Sequence, residues 1–133
     1  MGFWIFMMIM DLLIPATMII FGAIFLKRPP KKINHVYGFR SNMSMKNINT
    51  WNFAHNFLGK IWLFLGIFST PVMLVPMLFL MPIYGQDNMG TIGTVSIILI
   101  SISTVLMLVP IITTELTLRK RFDKDGNIIE PKD

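Results

Sequence analysis

One acidic residue, Asp11, lies inside a long run of apolar residues near the start of the chain. A carboxylate inside an apolar helix is costly unless it is paired, hydrated or protonated, so it often marks a functional site. Asp11 could contact a ligand in the bilayer, bind an ion or carry a proton. The structural alternatives are a hydrogen bond to another span, at Ser69, Thr70 or Thr104, and a position near the outer surface if the helix begins later.

A second candidate, Arg40, lies in a polar stretch and carries a guanidinium with five N–H donors that stays charged. It could order its own loop by binding backbone carbonyls, or it could hold a lipid phosphate or a peptide carboxylate. Glu115 precedes Arg119 by one helical turn, and that spacing is typical of ordinary pairing on a helix surface. His35 and His55 are far apart in the sequence without a ligand-spaced partner, so we expect no metal site.

The sequence lacks the common catalytic motifs. It has no cysteine, which excludes disulfides, thiol catalysis and thiolate metal sites. It has no nucleophile–base pair with an orienting group, no glycine-rich phosphate loop and no HExxH motif. We therefore expect no enzymatic activity, no cofactor and no metal. The 12 methionines are expected to fill gaps between apolar helices rather than to bind copper.

Three apolar blocks, about 3–26, 61–84 and 91–118, are each long enough to cross a bilayer. Charged residues make up 14% of the chain, against about 25% in soluble domains. We predict an all-α integral membrane protein with three transmembrane helices in a single domain, 1–121, and no removable signal peptide. Prolines within the second and third blocks are tolerated in spanning helices, where we expect kinks.

Lysine and arginine residues set the predicted orientation. The connection between the first two blocks, 27–60, is basic and has no acid, the turn at 85–90 has no basic residue, and the tail, 122–133, follows a basic cluster. The positive-inside rule then places the loop and the C-terminus in the cytoplasm and the N-terminus outside. We attribute the net charge of +5 to basic residues that set the topology and contact membrane lipids. No direct nucleic-acid partner is therefore expected. The tail is expected to be polar and flexible.

The connection itself contains a predicted helix. Tyr37 and Gly38 indicate a turn, and Ser44 is a suitable N-cap for a helix that begins after it. Apolar and aromatic residues then recur every three or four positions, at Met45, Ile48, Trp51, His55, Leu58 and Trp62. This spacing predicts an amphipathic helix at the membrane interface before the second span, with Trp51 and Trp62 at the interface.

The same connection carries a family resemblance. The stretch from Pro30 to Ser41 resembles the signature of the SdpI family of bacterial membrane proteins. The continuation also matches at fixed spacing, and the matching signature residues are Asn34, Tyr37, Gly38, Arg40, Ser41, Ser44, Asn47, Trp51, Ala54, His55 and Gly59. Three positions depart from the family pattern: Phe39 replaces the usual Tyr, Ser41 the usual Thr, and His55 the usual Asn. The chain resembles a short form that has the signature unit alone.

The resemblance implies a membrane immunity protein that protects a bacterial cell against a secreted, membrane-active peptide toxin. It also implies signalling, in which a cytoplasmic transcriptional regulator is held at the plasma membrane. On this interpretation, Asp11 and the outer ends of the spans would meet the toxin, and the signature loop on the cytoplasmic side suits structure or signalling.

Two alternatives remain open from the residues. The chain could be a membrane scaffold whose basic loop recruits a cytoplasmic regulator or an anionic lipid. It could also be a small transporter or flippase subunit using Asp11 and Arg40, which would need to form a homo-oligomer because three spans are few for transport. No glycine pair at GxxxG spacing indicates a dimer face.

Overall fold

The protein forms three long helices, described here by a computed structural model for residues 1–81 and 88–129. They are α1 (Gly2–Lys27), α2 (Ile48–Phe79) and α3 (Met89–Arg121). All three are long and apolar enough to span a membrane. At 1.5 Å per residue, even the shortest measures about 39 Å, more than the roughly 30 Å of a hydrocarbon core. The predicted all-α fold with three spanning helices is confirmed.

The second span differs most from its predicted bounds of 61–84. It begins at Ile48, ends at Phe79 and runs without a break through Lys60 and Ile61. The predicted interfacial helix and the second span are therefore one element. Residues 82–87 lie outside the described residues, so the end of the predicted span and the first half of the predicted turn lie there too. The helix α3 begins directly after Asn88, whose side chain accepts a hydrogen bond from the Thr91 N–H.

The amphipathic face at the start of α2 packs against protein. Trp51, His55 and Leu58 are at most 1% exposed, and Trp62 is also buried. Both indole N–H groups donate to backbone carbonyls, that of Trp51 to Pro30 and that of Trp62 to Met107. Protein therefore covers these two tryptophans, and their position at the depth of the membrane interface stays a prediction. Whether the first turns of α2 lie at a membrane surface stays a prediction.

The helices α1 and α2 come into backbone contact at glycines. A Cβ added at Gly22 would lie 2.6 Å from the Leu63 nitrogen and 2.9 Å from the Gly59 oxygen. A Cβ added at Gly66 would lie 3.0 Å from the Ile19 nitrogen. Small residues let membrane helices approach closely, where packing replaces the hydrophobic effect as the source of association. Gly22 and Gly66 thus allow close contact between helices of the same chain, although they do not belong to a GxxxG pair.

Two apolar clusters join α3 to this pair of helices. One contains Trp4, Met73, Met77, Ile92 and Leu99, and the other contains Met18, Phe25, Leu58 and Trp62 with Met107 and Ile111 packed against it. The Trp4 indole N–H also donates to the Met77 carbonyl at 2.7 Å. That carbonyl is among the last four of α2, which have no partner within the helix. Trp4 therefore satisfies a backbone group at the end of α2.

The first part of the tail folds back onto the start of α2. Phe122 and Ile128 form an isolated antiparallel bridge, and we call residues 122–129 the tail turn. Phe122 is buried with Met43, Ala54 and Leu118. The Asn47 side chain donates to the Gly126 carbonyl at 2.6 Å. The sequence predicts a polar and flexible tail, yet its described part is docked by a buried ring. Its mobility stays a prediction.

The glycine contact yields a stability prediction. Replacing Gly22 with Ala should lower the free energy of unfolding by about 1–3 kcal/mol, because the added methyl meets backbone that cannot move alone. The matched control is Gly93→Ala, where the added Cβ finds its nearest neighbour, the Phe3 ring, at 3.8 Å. Unfolding in mixed micelles by SDS titration measures both variants. Equal stability of the two would contradict this account of the contact.

Candidate functional site

All the signature residues except Gly59 fold into one polar cap over the end of α1, made of residues 30–55, which we call the signature cap. Its first turn is built by Asn34, whose side-chain oxygen accepts the N–H groups of Val36 and Tyr37 at 3.0 and 2.7 Å. The Asn34 amide donates to the Lys32 carbonyl. An asparagine that bonds backbone just ahead of it mimics a backbone turn. Asn34 therefore shapes the loop.

Gly38 is required for two reasons. Its φ of 109° lies in a region that side-chain-bearing residues rarely adopt. A Cβ at this position would also lie 2.5 Å from His55 Nε2 and 3.2 Å from Pro30 Cγ. The turn and the close approach to His55 therefore both exclude a side chain here.

His55 joins the loop to α2. Its Nε2 accepts the Phe39 backbone N–H at 2.9 Å, and its Nδ1 lies 2.7 Å from the Trp51 carbonyl. The first nitrogen must accept and the second must donate, so the pair of contacts requires the neutral Nδ1–H tautomer. The Asn usual in the family also offers one acceptor and one donor group. His55 therefore supplies the same kinds of hydrogen-bonding group as the Asn that it replaces in the family pattern.

Aromatic rings enclose His55. The Trp51 ring lies 4.4 Å from the imidazole, and the Phe25 ring of α1 meets it edge-on at 4.8 Å. Tyr37, whose side chain stays partly exposed, meets Phe25 edge-on at 6.2 Å. The imidazole itself is fully buried. This enclosure ties the loop, α1 and α2 together around one polar side chain.

Serine and asparagine side chains close the far end of the signature cap. Ser41 and Ser44 exchange hydrogen bonds, because the backbone N–H of each donates to the hydroxyl of the other. The N-cap of α2 is Asn47, so the prediction of Ser44 as the N-cap is wrong. The Asn47 side chain accepts the Thr50 N–H, and the Thr50 hydroxyl accepts the Asn47 N–H. Reciprocal bonding of this kind fixes where a helix begins.

Arg40 lies on the exposed rim of the cap. Its guanidinium donates to the His35 carbonyl, as the loop-ordering interpretation predicts. It does not form one cluster with Asn34, Asn47 and His55, which bond different parts of the cap. Arg40 also lines a groove between the loop and α3. Because a guanidinium has five N–H donors, Arg40 can order the loop and still bind an anion in this groove.

Asp11 lies apart from the cap, about 21 Å along α1 from Phe25. It is 1% exposed, and its Oδ2 accepts the Ser96 hydroxyl of α3 at 2.9 Å. That hydroxyl is also 3.6 Å from the Met77 sulfur of α2. Among the described residues, the Asp11 Oδ1 has no hydrogen-bond partner. The side chain thus lies where all three helices meet, away from the lipid-facing surface.

The structure corrects two alternatives for Asp11. Its partner is Ser96, whereas Ser69 and Thr70 donate to the Gly66 carbonyl and Thr104 donates to Ile100 within its own helix. Because α1 begins at Gly2, Asp11 lies in its third turn and not at a late helix start. Ser96 lies on the buried face of α3 with Ile92, Leu99 and Ser103, but the sequence does not mark this face, because apolar residues also occupy the exposed one. Only the contact itself shows which serine meets the carboxylate.

Sequence reasoning also missed the contribution of the tail turn. The Asp123 Oδ1 accepts the N–H groups of Asp125 and Asn127, both at 2.9 Å. These hydrogen bonds, led by the one from Asn127, hold the pKa of Asp123 below its ordinary value of 3.8. The run Asp-Lys-Asp-Gly-Asn at 123–127 is rich in turn-forming residues and could have indicated this turn.

Comparison with known proteins places the sequence of this chain among relatives. The SdpI/YfhL protein family matches residues 31–114, which is more than half of the chain. The uncharacterized protein YfhL of Bacillus subtilis (strain 168) is 38% identical over 50 residues. That alignment covers 38% of this chain and 46% of YfhL, so it spans about half the length of the relative. No solved structure matches the chain.

The first site prediction concerns His55. Replacing it with Leu leaves the Phe39 N–H without its acceptor, at a cost of about 1–3 kcal/mol, so amide exchange at Phe39 should speed up on the order of 10-fold or more. His55→Asn restores the usual family residue and should keep most of the protection. Hydrogen–deuterium exchange of the purified protein measures both. Wild-type protection at Phe39 in the Leu variant would refute the role of His55 in holding the loop.

The second site prediction concerns pH. A carboxyl whose pKa is lower in the folded turn than in the unfolded chain stabilises the turn when ionised. The stabilising effect of Asp123 should therefore be complete above its ordinary pKa of 3.8 and should disappear as pH falls through the lower folded value. Protease cleavage of the tail at stepped pH, with an acid-stable protease, measures this. Asp123→Asn is the control and should lack the acidic transition; an identical pH profile would contradict the prediction.

Proposed function

Since the chain belongs to the SdpI/YfhL family, as the loop residues predicted, we propose that it is a non-catalytic membrane immunity protein. It would protect a bacterial cell against a peptide toxin that acts within the membrane. The observation that carries the proposal is the family match over 31–114, together with a signature loop whose residues build one folded cap. The three membrane-length helices provide a surface that a membrane-active peptide could contact.

The proposed contact surface is the lipid-facing side of the spans. Phe64 and Phe68 of α2 are 68% and 64% exposed, and their rings stack at 6.4 Å. Aromatic side chains provide large contact areas at low entropic cost. The signature residues serve the cap instead, and Asp11 is buried between helices. Asp11 would then support protection by holding α1 against α3 rather than by touching the toxin.

The proposed location is the bacterial plasma membrane. The helices and the family support a multi-pass membrane protein. The loop side carries the basic residues of the cap and of the α3 end, so we propose that it faces the cytoplasm and that the N-terminus lies outside. A secreted peptide would then approach from the side of Asp11 and Trp4.

A survival assay tests the immunity proposal. Expression of the protein in cells sensitive to a membrane-active peptide of this toxin class should raise the peptide concentration needed to kill them. Phe64→Ala/Phe68→Ala should lose protection at equal membrane abundance. Asp11→Asn should keep it, because an amide oxygen can still accept the Ser96 hydroxyl. Unchanged survival with folded wild-type protein would overturn immunity to that peptide, and loss of protection in Asp11→Asn would instead indicate a required carboxylate.

A second candidate is a membrane scaffold, and one observation favours it. A groove of about 540 Å³ lies between the first turns of α2 and the tail turn. Its wall includes Phe53, with the Arg121 guanidinium 5.2 Å from the ring centre, and Lys120. An acidic segment of a cytoplasmic regulator would complement these cations. Retention of a partner on membranes by the wild type, lost in Lys120→Glu/Arg121→Glu and kept in Lys31→Glu/Lys32→Glu, would favour this candidate.

A further inference from the structure

A second groove, of about 460 Å³, lies between the signature loop and α3. Arg40 and Ser41 form its loop side, and Ile112, Glu115 and Arg119 are among the residues on its helix side. It is a different groove from the one beneath the tail turn, because the two share no lining residue. We call it the loop–α3 groove.

This groove joins an apolar surface to a charged one. Ile112 is 60% exposed and Leu116 is 54% exposed, both on the membrane-length helix α3. One turn further on, Arg119 begins the basic end of the helix. Apolar side chains followed by arginines mark the boundary between hydrocarbon and head groups. A molecule in the loop–α3 groove would therefore place its apolar part along Ile112 and Leu116 and its polar part among the charges.

The charges of the groove form a specific pattern. Arg40 donates to the His35 carbonyl, and Arg119 bonds Glu115 Oε1 through Nε at 3.1 Å. A guanidinium has five N–H donors, so both arginines keep donors for an anion. Glu115 Oε2 is buried and has no hydrogen-bond partner among the described residues. The groove therefore combines two cations that keep free donors with one partly exposed carboxylate side chain.

We propose that the loop–α3 groove binds phosphatidylethanolamine from the membrane leaflet on the loop side. Arg40 and Arg119 would hold the phosphate, and the primary ammonium of the head group would pair with the carboxylate of Glu115, whose side chain is 23% exposed. Arginine suits phosphate because its donors form a planar fork. An ammonium complements a carboxylate in both charge and hydrogen bonding. The acyl chains would lie along Ile112 and Leu116, in the direction of the span.

The choice of phosphatidylethanolamine over other lipids rests on the Glu115 carboxylate. Phosphatidylcholine has the same phosphate and the same net charge, but its quaternary ammonium has no N–H to donate. Phosphatidylglycerol offers hydroxyls and a net negative charge, which two arginines alone would favour. Only the primary ammonium supplies both a positive charge and a donor for the Glu115 carboxylate. This inference does not depend on the immunity proposal, because it concerns a different surface and a lipid.

Native mass spectrometry of the full chain in detergent micelles tests the proposal, using dioleoyl phosphatidylethanolamine, phosphatidylcholine and phosphatidylglycerol at equal concentration. We expect phosphatidylethanolamine to bind several-fold more tightly than phosphatidylcholine. Arg40→Gln/Arg119→Gln should weaken binding of the first lipid on the order of 10-fold. The matched control Lys31→Gln/Lys32→Gln removes the same amount of charge, outside the groove, and should bind as the wild type does.

The variant Glu115→Gln distinguishes the contribution of the ammonium to lipid binding from that of the phosphate. It keeps an acceptor and removes the charge, so the preference for phosphatidylethanolamine over phosphatidylcholine should fall while phosphate-dependent binding remains. Arg40→Gln could disturb the loop that Arg40 orders, so Arg119→Gln alone provides a second variant whose side chain lies on the helix surface. Gel filtration and helical content verify the fold of each variant.

Several outcomes would overturn the proposal. Equal binding of phosphatidylethanolamine and phosphatidylcholine would remove the role of Glu115, and preference for phosphatidylglycerol would indicate a simple anionic site. Equal loss in the groove variant and the lysine control would indicate attraction by net charge alone. Displacement of the lipid by millimolar inorganic phosphate would indicate a phosphate site without a lipid-specific part.

Discussion

Gly22 lies against the backbone of α2, and the arrangement of the polar residues depends on that contact. The approach is so close that an added methyl group would lie 2.6 Å from a backbone nitrogen. It sets the register of the two helices, so Phe25, one turn further along α1, meets the imidazole of His55. His55 in turn holds the Phe39 N–H, and the loop can reach it only because Gly38 has no side chain. The packing of two apolar helices thus determines where a polar loop can fold.

Backbone hydrogen bonding explains why the signature consists of these residue types. A loop folded over the end of a helix bundle must satisfy N–H and C=O groups that no regular element pairs. Asn34, Ser44 and Asn47 do so with short polar side chains, and Trp51 and His55 do so from α2. The signature therefore describes how the loop is built. A function shared by the family would use the surfaces that the folded loop and helices leave exposed. These include the loop–α3 groove and the exposed faces of the spans.

Asp11, away from the signature cap, is accommodated by a hydrogen bond between two side chains. The bilayer offers no water to a carboxylate, so the cost of its burial is reduced by a serine of α3 and a position between three helices. The sequence marks Asp11 as unusual but cannot distinguish a ligand contact from a helix contact. Its exposure of 1% argues for the helix contact.

The three spans, the all-α class and the family could be predicted from the residues, because apolar length, charge distribution and signature spacing are all local properties of the chain. The start of α2 could not, since Ser44 and Asn47 are both good N-caps and the choice depends on the reciprocal bond with Thr50. The burial of Trp51 and Trp62 by protein could not be predicted either, because periodicity shows which residues share a helix face but not whether lipid or protein covers that face. The partner of Asp11, the docking of the tail turn and the meeting of Arg40 with Arg119 at one groove emerge only from the folded chain. Each joins residues far apart in sequence, and their contact depends on how three helices pack.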